Sequence, residues 1–212
     1  SINIGKGANS VAGNTVLGET ALDAAVTGGN NTAIGKDSLT ANTSGSNNTA
    51  VGYLSLSANT TGERNTAIGS NALDANTTAS DNTAVGMNAL TANTTGNSVA
   101  ALGSAALANN TTGDNNTACG KAALYNNTTA DNNTACGKDA LFANTTGTQN
   151  VAVGSTSLDS NTAGANNVSI GHTAMESNTT GQRNVAIGSH ALDAGNGSYN
   201  IAVGHNALTA ST

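Results

Sequence analysis

The sequence predicts an all-β fold, a parallel β-solenoid or β-roll of 17-residue coils. Three observations carry that prediction. Thirteen glycines, Gly5, Gly18, Gly35, Gly52, Gly69, Gly86, Gly103, Gly120, Gly137, Gly154, Gly171, Gly188 and Gly204, are spaced seventeen residues apart, except for a first interval of thirteen and a last of sixteen. Each closes a short stretch of small, β-branched or apolar residues. An apolar residue follows four positions later without a break, from Leu22, Leu39 and Leu56 through Met175 to Leu208. Units this short bury no core singly, so the chain reads as one continuous array over 1–212. It holds about twelve coils, with a shortened first interval, and both ends are expected to be cut from something longer.

Aligned on the glycine, the unit is N-T-A-[I/V]-G-x-x-A-L-x-A-N-T-T-G-x-N. The stretch before the glycine is a strand. One strand row runs Thr32, Thr49, Thr66, Thr83 and ends at Val185 and Ile201; the other runs Ile34, Val51, Ile68, Val85 and ends at Ile187 and Val203. Standing two apart, the rows share one face, and their β-branched character suits a buried sheet surface, so they are expected to point inward. The glycine and its two variable followers make a corner. The Leu row is a second inward face, and N-T-T-G has turn chemistry, with Asn tolerating left-handed geometry and Gly supplying positive φ. Stacked coils would place like residues ~4.8 Å apart, so rows such as Asn42, Asn59, Asn76 and Asn93 would form amide ladders. Helical repeats have longer units, and the Asn, Thr and Gly content opposes helix.

The middle strand residue is Ala33, Ala50, Ala67, Ala84, Ala101, Ala118, Ala135, Ala152, Ser169, Ala186 and Ala202. With the flanking rows inward, this row faces out. A solvated position has no reason to stay alanine, so the ten alanines are read as an inter-chain strip where another copy approaches closely. The alternative is a narrow solenoid whose small residues fill a tight interior.

Composition narrows the functional classes. Charged residues are 8% of the chain, against about 25% in ordinary domains. A net charge of −6 without a Lys/Arg patch argues against nucleic acid. No apolar run approaches the ~18 residues of a membrane span. There is no proline and no signal-peptide pattern.

The segments Asn97-Ser98-Val99-Ala100-Ala101-Leu102-Gly103, Asn184-Val185-Ala186-Ile187-Gly188 and Asn200-Ile201-Ala202-Val203-Gly204 resemble the N-S-V-A-I-G repeats of YadA-like head domains. Those belong to trimeric autotransporter adhesins, and similar repeats occur in phage tail fibres. The resemblance covers nearly the whole chain and implies left-handed β-rolls, three side by side, displayed for surface attachment. The family repeat is shorter; the A-N-T-T segment lengthens each turn here.

Among candidate sites, Cys119 and Cys136 occupy one slot of consecutive coils, within the Cα range of a disulfide. They read either as a staple between coils or as two buried thiols replacing Ile and Val, and the second reading is favoured. Asn42, Asn59, Asn76, Asn93, Asn110, Asn127, Asn144 and Asn178 lie in N-x-T/S acceptor sequences and are candidate glycosylation sites. The competing reading is that the turn needs these residues for its own hydrogen bonds. His172, His190 and His205 share an exposed corner with Lys36, Lys121 and Lys138, without metal-ligand spacing. Asp37 and Asp139 follow Lys36 and Lys138 as solvated charges. The turns lack the aspartates of calcium-binding solenoid repeats. No nucleophile elbow, P-loop or dinucleotide fingerprint occurs, so no enzyme, cofactor or metal is expected.

These features point to a segment of an extracellular, cell-surface or virion fibre or adhesin, a rigid rod on the order of 55 Å long. Its expected partners are copies of itself, as a homotrimer or filament, and a cell-surface or matrix receptor. The alternative is an ice-binding solenoid using the Thr and Asn rows, Thr43, Thr60, Thr77, Thr94, Thr111, Thr128 and Thr145 among them.

Overall fold

The computed structural model describes residues 3–7, 10–193 and 195–209. Its strands are β1 (Asn3–Gly5), β2 (Thr15–Gly18), β3 (Thr32–Ile34), β4 (Thr49–Val51), β5 (Thr66–Ile68), β6 (Thr83–Val85), β7 (Ala100–Leu102), β8 (Thr117–Cys119), β9 (Thr134–Cys136), β10 (Val151–Val153), β11 (Val168–Ile170), β12 (Val185–Ile187) and β13 (Ile201–Val203). All thirteen lie in one sheet in chain order. From β2 to β13 the pairing is parallel and like faces like: Thr32 opposes Thr49, Ala33 opposes Ala50 and Ile34 opposes Val51. This is the solenoid that the glycine period predicts.

β1 departs from the expected shortened coil. It runs antiparallel to β2, with Ile4 opposite Leu17. The interval between Gly5 and Gly18 is four residues short of the seventeen-residue period and lacks the Leu or Met that later coils carry four places after the glycine, and there the chain doubles back.

The core is a column of leucines facing columns of alanine. Leu39, Leu56, Leu73, Leu90, Leu107, Leu124, Leu141, Leu158 and Met175 are fully buried, as are Ala33, Ala50, Ala67, Ala84, Ala101, Ala118, Ala135, Ala152 and Ala186. The corner that brings each leucine inward is left-handed: Asn71 has φ 55° and Leu73 φ 53°, and the same pair of angles recurs in coil after coil. A left-handed non-glycine costs roughly 1–2 kcal/mol, comparable to the roughly 1.5–3 kcal/mol that full burial of a leucine contributes. Burial therefore holds the corner.

The glycine before that corner is required twice over. Gly103 has φ +139°, and a Cβ there would lie 2.5 Å from the carbonyl oxygen of Gly120 in the next coil. The glycine of N-T-T-G is different. Gly45, Gly62 and Gly96 are not left-handed, and Ala79 and Ala130 replace them in other coils. The left-handed residue of that turn stands two positions later, at Asn47, Arg64 or Asp81. Glycine there serves the close approach of stacked backbones and supplies no positive φ.

Candidate functional site: the outward strand face

The two strand rows expected to point inward point outward, and the alanine row expected to meet another chain points inward. Ala33, Ala50, Ala67, Ala84, Ala101, Ala118, Ala135, Ala152, Ala186 and Ala202 are buried inside their own coils, so they form no inter-chain strip. The exception proves the direction. Ser169 is fully buried, donates to the carbonyl of Ala174 at 2.8 Å and accepts from Ser157 Oγ at 2.7 Å. The physical reason is width: the space between strand and leucine column admits a methyl group and little more. Alternation fixes which residues share a face but not which face is inside, and apolar character is a poor guide to burial.

The outward face thus carries Thr with Ile, Val, Leu or Cys in the earlier coils, apart from Ala100 with Leu102 in β7, and becomes wholly aliphatic later. Over β10 to β13 its pairs are Val151 and Val153, Val168 and Ile170, Val185 and Ile187, and Ile201 and Val203. Ile68, Leu102, Ile170 and Ile187 are each about 40% exposed, and Val203 is 67% exposed. This is a continuous apolar strip, of the kind that marks an interaction surface.

Cys119 and Cys136 lie on this strip. Both are exposed free thiols, opposite one another in the parallel register of β8 and β9. They are not the buried pair expected from the sequence, because their row faces out, and they are not joined as a staple. Partial burial, and the neighbouring Cys119, push the Cys136 thiol up from its ordinary value.

The N-T-T asparagines form the expected ladder. Asn59 Nδ2 donates to Asn42 Oδ1 at 3.0 Å and to the Gly62 carbonyl at 3.1 Å. The pattern repeats through Asn76, Asn93, Asn110, Asn127, Asn144, Asn161 and Asn178. Asn42, Asn59, Asn76, Asn93, Asn110, Asn127, Asn144 and Asn178 are therefore buried, and from Asn59 onward each amide nitrogen donates both its protons. The folded rod offers none of these eight nitrogens to a glycan. At Asn178 the ladder stops, because Gly195 occupies the next position, and Asn178 Oδ1 is left without a donor.

A second ladder escaped the sequence reading. Asn31, Asn48, Asn65 and Asn82 stand just before the strands; Asn48 Oδ1 accepts the Asn65 backbone N–H at 2.9 Å while Asn48 Nδ2 donates to the Gly62 carbonyl at 2.8 Å. Its signal was the invariant Asn opening N-T-A, lost only at Val99. The stacked rings of Tyr125 and Phe142, 5.3 Å apart, were also missed; they are aromatic residues at the coil spacing.

Lys36, Lys121, Lys138, His172 and His205 are exposed as expected, whereas His190, Asp37 and Asp139, one place further round the corner, are half-buried; the histidines form a column. Ring centroids of His172 and His190 lie 5.7 Å apart and those of His190 and His205 6.1 Å, while Thr173 Oγ1 lies 2.7 Å from His190 Nδ1. Lys36 pairs with Glu19 at 3.3 Å, and Lys138 with Asp139. Arg64 binds Asp81 of the next coil at 2.6 Å and holds its carboxyl below the usual range. The Thr43, Thr60 and Thr111 hydroxyls donate to the carbonyls of Thr60, Thr77 and Thr128, in support of the turn. Among the described residues no group of three or more His, Cys, Asp or Glu is placed to hold a metal, and no helix is long and apolar enough to cross a membrane.

No family model, curated protein or solved structure matches the chain.

Proposed function

We propose that this chain is a rigid, non-catalytic segment of an extracellular, cell-surface or virion fibre or adhesin, which associates with copies of itself through its outward strand face. The observation that carries the reading is the wholly aliphatic run of that face over β10 to β13. Water-exposed Val and Ile rows are unfavourable by about 25 cal/mol per Å² left uncovered, and a like row on a second copy is the simplest cover. The in-register sheet, the leucine column and two asparagine ladders support a spacer role, since together they tie each coil to the next. A homotrimer or filament then presents the corners and turns to a receptor on a cell surface or matrix. Sedimentation equilibrium tests the association: the reading expects a defined multiple of the 20.5 kDa chain, and a dispersed monomer at all concentrations would sink it.

A second reading, ice binding, is favoured by one specific feature. Thr and β-branched residues stand two apart on one regular outward sheet face from β3 to β6. Thermal hysteresis and faceted ice crystals would support it; the absence of both removes it.

A further inference from the structure

We propose that Cys119 and Cys136 form a two-thiolate clip for a soft, monovalent d10 cation such as Cu(I). The two residues oppose one another across neighbouring parallel strands, and both thiols are free and exposed on the same face. In-register side chains leave a parallel sheet side by side, so their Cβ atoms stay near the strand spacing of ~4.8 Å. A relaxed disulfide wants Cβ atoms only ~3.8 Å apart. Two metal–sulfur bonds of ~2.3 Å laid end to end span about 4.6 Å, which fits the sheet without distortion. The spacing therefore suits sulfur–metal–sulfur better than sulfur–sulfur.

The donor set selects the ion. Soft thiolates select Cu(I), zinc and iron–sulfur clusters, and the last takes four cysteines. Zinc wants four ligands, and the residues flanking the thiols on the outward rows are Thr117, Thr134, Leu102 and Val153, none of them a metal ligand of that kind. Binding converts two thiols and one monovalent cation into a bis-thiolate complex with a single negative charge and releases two protons. Affinity should therefore rise about 100-fold per pH unit below the thiol range.

Both donors belong to a single chain, although they lie on the face through which association is proposed. Cu(I) is supplied anaerobically to the full chain from a coloured chelator, with sedimentation run in parallel. The proposal expects one Cu(I) withdrawn per chain, a thiolate-to-metal absorption band, and loss of both in Cys119→Ser and in Cys136→Ser. Circular dichroism of the two variants should match wild type. No withdrawal of Cu(I), binding that survives in either single variant, or recovery of the natively isolated chain with both thiols already joined as a disulfide would each overturn it. A monomeric chain that binds one Cu(I) would instead refute only the association.

Discussion

Asn110 Nδ2 donates to Asn93 Oδ1 in the preceding coil at 2.9 Å and to the Gly113 carbonyl in its own turn at 3.0 Å. One amide thus closes a turn and fastens it to its neighbour. Replacing Asn93 by Ala removes the acceptor of Asn110 and the donors to Gly96 and Asn76. Leaving such buried groups unsatisfied costs about 1–3 kcal/mol each, so Asn93→Ala should lower the unfolding midpoint clearly in a denaturant titration. The same burial predicts that chains expressed in a glycosylating host and folded before modification carry no glycan at Asn93, which intact mass would show.

The inward alanine row makes opposite predictions for neighbours in one strand. Ala84 is fully buried and Val85 faces out. Ala84→Leu overfills the coil and should cost about 1–3 kcal/mol or more, while Val85→Thr should stay within about 0.5 kcal/mol. Thermal unfolding of the two variants checks this, and the reverse order would put the alanines outside.

Two glycines in one coil should respond differently to alanine. Gly103→Ala forces a left-handed alanine against the Gly120 carbonyl and should cost more than about 2 kcal/mol. Gly96→Ala also brings a Cβ within 2.5 Å of Asn93 Oδ1 and the Gly113 carbonyl oxygen, but it needs no left-handed backbone and Ala79 and Ala130 sit at this place in other coils, so it should cost less. Denaturant midpoints of both variants decide it.

Burial raises the Asp159 carboxyl above its ordinary value, with Asp139 and Asp193 adding to the rise and Ser160 opposing it. For an acid with a raised folded pKa the native state holds the extra proton, so stability falls as pH climbs from the unfolded value to the folded one and stays lowered above it. Asp159→Asn should therefore raise the melting temperature at pH 7 and leave it unchanged well below pH 4. A Tm difference independent of pH would contradict the cause.

The stacking, the corner glycine, the leucine column and the first asparagine ladder were legible because each is a fixed residue type at a fixed spacing. The sense of the strand face was not legible. Thr83-Ala84-Val85 alternates equally well in either direction, and only the width of the coil decides. The constancy of alanine held the answer: small and invariant signals a tight interior as readily as a contact with another chain. The left-handed leucines were invisible for a related reason, since their cost is offset by packing that no local propensity records. The reversal of β1 followed from missing residues, which a period count registers only as a shortened gap.

The outward face is the central claim, and paired substitutions on it give the most direct measurement. Ile170→Lys with Ile187→Lys leaves the buried columns untouched and puts two charges on the aliphatic strip; Thr43→Ser with Thr60→Ser alters a turn away from it. Sedimentation equilibrium of wild type and both double variants, with circular dichroism to confirm the fold, should give a multimer for wild type and the threonine variant and a folded monomer for the lysine variant. A lysine variant that keeps the wild-type mass would contradict the assignment of this face.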